Sequence, residues 1–259
     1  QELDEHAPIA AQWFGGAGRE YLEKYDAHPE IFARVSVKAR QHAANNKKAL
    51  FRAPITVEEV MKSPHLYGPL TRLMACPPTC GAAAAIIVSE EYARRNGIQS
   101  PVEIVAQSMA TDPAESFAEN SMMNLVGHQM AKKASNEVYE KAGIGPEDVD
   151  VVELHDCFSS NEVLAYEGLG LAAEGEASKF ILDGQNTYGG SVVTNPSGGL
   201  LSKGHPLGAT GLAQCTELVE QLRGIAGQRQ VDGAKIGLQH NLGLGGACVI
   251  TMYRLANNL

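Results

Sequence analysis

The sequence has no apolar run long enough to cross a bilayer: the longest, Ala82 to Val88, covers seven residues, where a spanning helix needs about 20. Its first residues, Gln1-Glu2-Leu3-Asp4-Glu5, are acidic where a secretory signal is basic and then apolar. Membrane-inserted and secreted classes are therefore not expected. Positive charge is also short, with 21 Lys and Arg against 30 Asp and Glu, so the net charge of −9 argues against a nucleic-acid partner. No internal repeat is visible. The five cysteines are odd in number and come without a secretory context, which points to reduced thiols in an intracellular compartment. Cys76 and Cys80 flank Pro-Pro-Thr, which is not zinc-knuckle spacing, and no histidine pair completes a ligand set, so no metal is expected.

What is present is a globular chain of 259 residues, 44% hydrophobic, sufficient for one large core or two modest ones. Residues 1 to about 80 are helical in pattern but interrupted by prolines, and read as an excursion from the core. Gly81 to Ser89 reads as a small-residue strand, after which Ser89 caps a short helix ended by Gly97. From Pro101 the pattern becomes regular. A strand is expected near 102–108, then a helix with Val126, Met130, Ala134 and Val138 at four-residue spacing, then a strand at 149–154. A helix from about Phe158, a glycine-rich loop, a helix over Ala209 to Arg223 and strands at 235–240 and 247–254 follow. This alternation predicts a layered α/β domain, a sheet covered by helices.

Gly204-His205-Pro206-Leu207-Gly208-Ala209-Thr210-Gly211 sets one histidine on a glycine-bracketed loop that runs into an amphipathic helix. Such a backbone can approach a ligand closely, and the helix start offers free N–H groups to negative charge. Alone, the motif reads equally well as a tight turn. His155-Asp156-Cys157-Phe158 follows directly on a predicted strand, placing an imidazole and a thiol where α/β sheets present ligand loops. A free cysteine is most often a buried small hydrophobe, and Cys215 fits that role, sharing a predicted core stripe with Leu212, Val219 and Leu222. Cys76, Cys80 and Cys248 are assigned to packing as well. Asn195 and Ser197, in Thr194-Asn195-Pro196-Ser197-Gly198-Gly199, read as shaping their loop more than lining a pocket. Lys38, Arg40, His42, Lys47, Lys48 and Arg52 form a basic stretch in an acidic chain, either a solvated helix face or a holder of phosphate.

These motifs, in this order and with Asn241-Leu242-Gly243-Leu244-Gly245-Gly246 downstream, resemble the thiolase superfamily. The HDCF form at 155–158 resembles its sterol carrier protein 2 type. The resemblance implies the thiolase fold, α/β in α-β-α layers, with residues 1–80 as loop-domain segment, 81–100 as the last strand and helix of an N-terminal domain, and 101–259 as the C-terminal domain. It also implies the roles. His205 activates a nucleophilic cysteine and donates to the thioester or enolate oxygen, His155 helps build that oxyanion hole, Cys157 exchanges the proton at the substrate α-carbon, and Gly245 lends a backbone N–H to a second oxyanion hole. Gly243-Leu244-Gly245 stands where many thiolases have Cys-x-Gly. No cysteine matches the family's nucleophile motif, which lies upstream of this region, and Cys80-Gly81 replaces the usual Asp-Gly. The family expectation is a 3-oxoacyl-CoA thiolase of peroxisomal β-oxidation, including 2-methyl-branched chains, with no cofactor beyond coenzyme A as substrate and a homodimer as assembly. No clear targeting signal supports the peroxisomal address, and the cytoplasm is the other compartment. The alternatives are a non-catalytic acyl-CoA-binding or dimerising module of thiolase fold, or the thiolase part of a lipid-transfer protein.

Overall fold

The computed structural model describes residues 4, 5, 7–99, 101–118 and 120–256. Five strands form one mixed sheet: β1 (Val102–Ala110), β2 (Val151–Glu153), β3 (Val193–Thr194), β4 (Ile236–Gly243) and β5 (Ala247–Leu255), in the order β1-β5-β4-β2-β3. β5 runs antiparallel to β1 and β4, while β2 is parallel to β4 and β3. The strands are set by pattern. In β1 the residues at 106, 108 and 110 are buried while those at 107 and 109 face outward. Expected strand and helix positions from Pro101 onward match the observed elements within a few residues.

The longer helices are α1 (Ile9–Tyr25), α2 (Glu30–Ala43), α3 (His128–Ala142), α4 (Ser159–Gly168) and α5 (Thr210–Leu222). α3 packs on β1 and β5, while α5 packs on β4 and β2 from the other side. Every residue of α4 is buried, between α1, α2 and α3. Met130, Ala134 and Val138 are core, as their spacing implies; Val126 is buried just ahead of α3.

Three expectations fail here. The first eighty residues are not an excursion: Phe14, Ala17 and Tyr21 of α1 and Phe32 and Val35 of α2 are at most 1% exposed and belong to the main core. Pro8 and Pro29 lie at the starts of α1 and α2, where a missing N–H costs nothing. Residues 81–88 form no strand; they run as extended coil with Ile86 93% exposed, because no described strand lies alongside to pair with them. The helix after them, Glu90–Arg95, is present and capped by Ser89 as expected. Finally, the stripe of Leu212, Cys215, Val219 and Leu222 is core only in part: Leu222 is buried and Cys215 packs against the smaller cluster, while Leu212 is exposed. α5 buries Thr210, Gln214, Glu217, Leu218, Gln221 and Leu222 and turns Leu212, Cys215 and Val219 toward an open cleft. Apolar spacing identifies a face but not which neighbour covers it.

Candidate active-site cleft

The cleft, about 2300 Å³, lies between the loops after β2 and before α5 on one side and the exposed 84–88 segment on the other. It exceeds the few hundred to about 1,000 Å³ typical of small-ligand pockets. His155, Cys157 and His205 all line it, with Cys76, Phe158 and Asn241.

Two short pairings bring the motifs together. Ala75 bridges Phe158 in antiparallel sense and Pro78 bridges His205, so residues 75–78 tie the two loops into one wall. Cys76 N–H donates to Cys157 O at 2.9 Å. Phe158 stacks on Phe14 of α1 at 5.1 Å between ring centres, which anchors the HDCF loop in the core. Gly204 adopts φ +116°, and a side chain there would meet Thr79 at 2.9 Å; only glycine lets the loop turn this close to the 75–79 segment.

The two histidines meet edge to face, ring centres 4.9 Å apart. His205 is half-buried, and its Nδ1 lies 2.7 Å from Thr210 Oγ1, which itself donates to Pro206 O at 3.1 Å. A hydroxyl has one proton to give, so Thr210 accepts from His205 Nδ1–H, and the ring's Nε2 keeps its lone pair. Burial, then the Lys203 ammonium, lowers the proton affinity of His205. His155 is nearly buried, and burial, then His205, His240 and Lys203, holds it well below the usual imidazole range. The site therefore holds two neutral imidazoles, one with a free basic nitrogen.

Cys157 is 7% exposed, and burial, then Cys76 and Asp156, pushes its thiol well above the usual range. It rests as the protonated thiol, not as a thiolate. Cys76, half-buried beside it, is pushed up to about 12, mainly by burial. Cys248 is core, and Cys215 is half-buried against the smaller core cluster around Leu218 and Leu222 while also lining the cleft; Cys80 is exposed and does not serve packing in the way expected.

Asp156 does not face the cleft. Its carboxylate accepts N–H from Leu200 at 2.7 Å and Leu201 at 3.2 Å, capping the short helix Gly199–Ser202. Gly199, at φ +60°, has no room for a Cβ, which would overlap that carboxylate. Asn195 and Ser197 shape the loop: Asn195 Oδ1 accepts Leu154 N–H at 2.8 Å, and Ser197 gives N–H and Oγ–H to Glu153 at 3.0 and 2.8 Å. Gly245 sits exposed at the tip of the β4–β5 turn, outside the cleft lining, which this hairpin reaches through Gly243 and Leu244.

The basic stretch divides. Lys38 is buried in an ion pair with Glu162 and donates to Thr194 Oγ1 at 2.6 Å. His42 is buried between Asn195 O and Thr187 Oγ1. These two are structural. Arg40 stacks over Phe51 at 4.4 Å, Lys48 pairs with Glu220 at 3.3 Å, and Lys47 and Arg52 are exposed. Among the described residues no group of His, Cys, Asp or Glu is arranged to hold a metal, and no helix is long and apolar enough to cross a membrane. Sequence reasoning missed Thr210, Lys203 and His240. His240, fully buried on β4 with Nδ1 taking the His155 N–H at 3.4 Å, carries a signal: a histidine inside a continuous strand pattern.

Residues 114–252 match the family described as thiolase C-terminal domain-like. The chain belongs to the thiolase family. It resembles the family's sterol carrier protein 2 type: it is 55% identical over 249 residues to sterol carrier protein 2 of Rattus norvegicus, a match covering 96% of this chain and 46% of that protein. It thus spans about half the length of the sterol carrier protein 2 relatives it matches. It is 39% identical over 236 residues to the acetyl-CoA acetyltransferase of Methanothermobacter thermautotrophicus, covering 91% of this chain and 61% of that enzyme. Among solved structures, the Ltp2-ChsH2(DUF35) aldolase superposes with TM-score 0.82 at 27% identity, over 95% of this chain and 64% of that one. The layered α/β architecture is the thiolase fold.

Proposed function

We propose that this thiolase-family chain carries the acid–base wall of a 3-oxoacyl-CoA thiolase, acting on straight and 2-methyl-branched acyl chains in peroxisomal β-oxidation and working as a homodimer. The observation that carries the reading is the pairing, in one cleft, of a neutral imidazole whose Nε2 is free with a thiol held protonated. Cleaving a 3-oxoacyl-CoA needs both. A base takes the proton of an attacking thiol, and an acid returns a proton to the carbanion of the departing acetyl-CoA. In this reading His205 Nε2 is the base and an oxyanion donor once protonated, Cys157 Sγ–H is the acid, and His155 supports the developing oxyanion. Gly245 would add a backbone N–H after movement of its turn. The nucleophilic thiol is assigned to none of the five cysteines here. The exposed cations Arg52 and Lys47 are the candidates to meet the phosphates of coenzyme A, which is substrate and not cofactor.

The test is thiolysis of a medium-chain 3-oxoacyl-CoA by the protein purified from its native cells, read as loss of enolate absorbance. Turnover that Cys157→Ala abolishes while the variant stays folded supports the reading. Unchanged turnover in Cys157→Ala would remove Cys157 from the mechanism. Tight acyl-CoA binding without turnover would favour a non-catalytic binding module.

A further inference from the structure

Several buried polar atoms near the paired histidines have no hydrogen-bond partner: Lys203 Nζ, Ser202 Oγ, His155 Nδ1 and His240 Nε2. Lys203 is the charged one, and it stands two residues before His205 in a backbone that is fixed on both sides. Leu50 N–H donates to Lys203 O at 3.2 Å, Phe51 N–H to Ser202 O at 3.0 Å, and Lys203 N–H to Gly199 O at 2.8 Å. The carboxylate whose field it shares, Glu153, is wholly buried with both oxygens already engaged by Ser197. The ammonium is thus withdrawn from water without a contact that quenches it. Buried ammonium groups are normally paired, so leaving this one open beside a functional wall calls for a reason.

We propose that Lys203 is a positioning residue of the cleft: its buried, unpartnered ammonium, two residues before His205 in the chain, makes the wall formed by His155 and His205 favour the anionic form of a bound thioester. The proposal rests on reading the cleft as a CoA-thioester site. Lys203 touches no ligand, since it is absent from the cleft lining; it acts through the field it sets across both rings. That field is felt at each of them, as a push against protonation. The other groups around the pair are His240 from β4 and the Cys76 and Cys157 thiols of the cleft wall, while Glu153 of β2 faces Lys203. Glu217 of α5 faces Glu153 in turn. None of these supplies a fixed positive charge. A neutral ring in the field of a cation keeps its lone pair for a thiol proton, and once that proton arrives the pair presents positive charge to an enolate or thiolate.

The experiment is a side-chain NMR titration of the histidines in the intact protein and in Lys203→Met and Lys203→Arg, alongside retention of acetoacetyl-CoA. Lys203→Met should raise the His205 midpoint by roughly one unit and weaken acetoacetyl-CoA roughly tenfold; Lys203→Arg should keep both near the parent. His42, buried away from the cleft, serves as fold reporter, with its midpoint held low. An unmoved His205 midpoint in a Lys203→Met protein whose His42 is still low overturns the proposal. Should that variant unfold, with His42 returning to the ordinary range, Lys203→Gln keeps the side chain polar and decides the same question. The thiolase reading fails separately, if the unmodified protein retains no acetoacetyl-CoA; the histidine midpoints decide the role of Lys203 in either case.

Discussion

Two buried polar clusters flank the loop after β2, and they are built on opposite terms. Around Lys38 and Glu162 the groups satisfy one another: the ion pair is wrapped by Thr194 Oγ1 and Tyr166 OH, and Tyr166 OH also accepts from Asn186 at 2.9 Å. Around His155 and His205, three titratable side chains keep a buried nitrogen without a partner, at His155, Lys203 and His240. Buried polar atoms in native proteins are almost always paired. A closed network buys rigidity, whereas open valences beside a cleft leave polar groups that the fold itself does not quench. The first cluster is scaffold, and the second is the one to which the proposed function assigns the chemistry.

If that division is right, substitutions in the two clusters should separate activity from stability. His205→Ala should lower thiolysis by about 10³-fold, in line with the loss of a positioned base, while its unfolding midpoint in urea stays near the parent; a folded variant retaining a tenth of the activity would break the comparison. Glu162→Leu should do the reverse. Removing one partner of a buried pair leaves the Lys38 ammonium uncompensated and costs about 3–5 kcal/mol, read as a lower urea midpoint, and Lys38→Met in the same chain should recover much of it.

The scaffold cluster should also set the acid limit of stability. Burial, then Lys38, lowers the His42 imidazole to about 4 from the usual 6.5. The unfolded chain therefore takes up a proton below about 6.5 that the native state refuses until about 4, so stability is full above that window and is lost as pH falls through it. The loss is on the order of 3 kcal/mol. His42→Gln should flatten the decline between these pH values in a series of urea titrations. His240, lowered to about 4 by burial, adds a decline of the same sign, so His42→Gln removes only its own part. Glu153 works the other way: burial raises its carboxyl to about 8, opposed by Lys203, and its contribution fades as pH rises toward that value.

How much of this was legible depended on whether the cause was local. The glycine-bracketed His205 loop and the HDCF turn announce themselves because turns and strand ends are specified by neighbouring residues. The strands and helices after Pro101 follow from periodicity for the same reason. Lys38 and His42 were misread as surface because the partner that buries Lys38, Glu162, lies 124 residues away. The outward stripe of α5 and the exposed 82–88 run fail in a common way: hydrophobicity says that a segment is built to be covered, and only the neighbours decide whether it is. Thr210 was quoted within its motif, yet nothing in Ala-Thr-Gly says that its hydroxyl turns back to a histidine five residues earlier.

That hydroxyl gives the smallest and sharpest comparison, because it belongs to the chemical cluster yet is fully bonded. Thr210 Oγ1 spends its proton on Pro206 O and accepts from His205 Nδ1–H, so it selects which ring nitrogen is basic. Thr210→Val keeps the shape and removes the acceptor. The His205 ring then loses its preference for the Nδ1–H tautomer, a change worth about one hydrogen bond or 1 kcal/mol. Thiolysis should fall roughly five- to tenfold, and the side-chain NMR of His205 should show its proton shared between the two nitrogens. Thr210→Ser keeps the acceptor and should restore both. A Thr210→Val protein with an unaltered His205 spectrum would mean that the ring is oriented by its edge-on contact with His155, and the division between bonded scaffold and open chemistry would have to be redrawn at this residue.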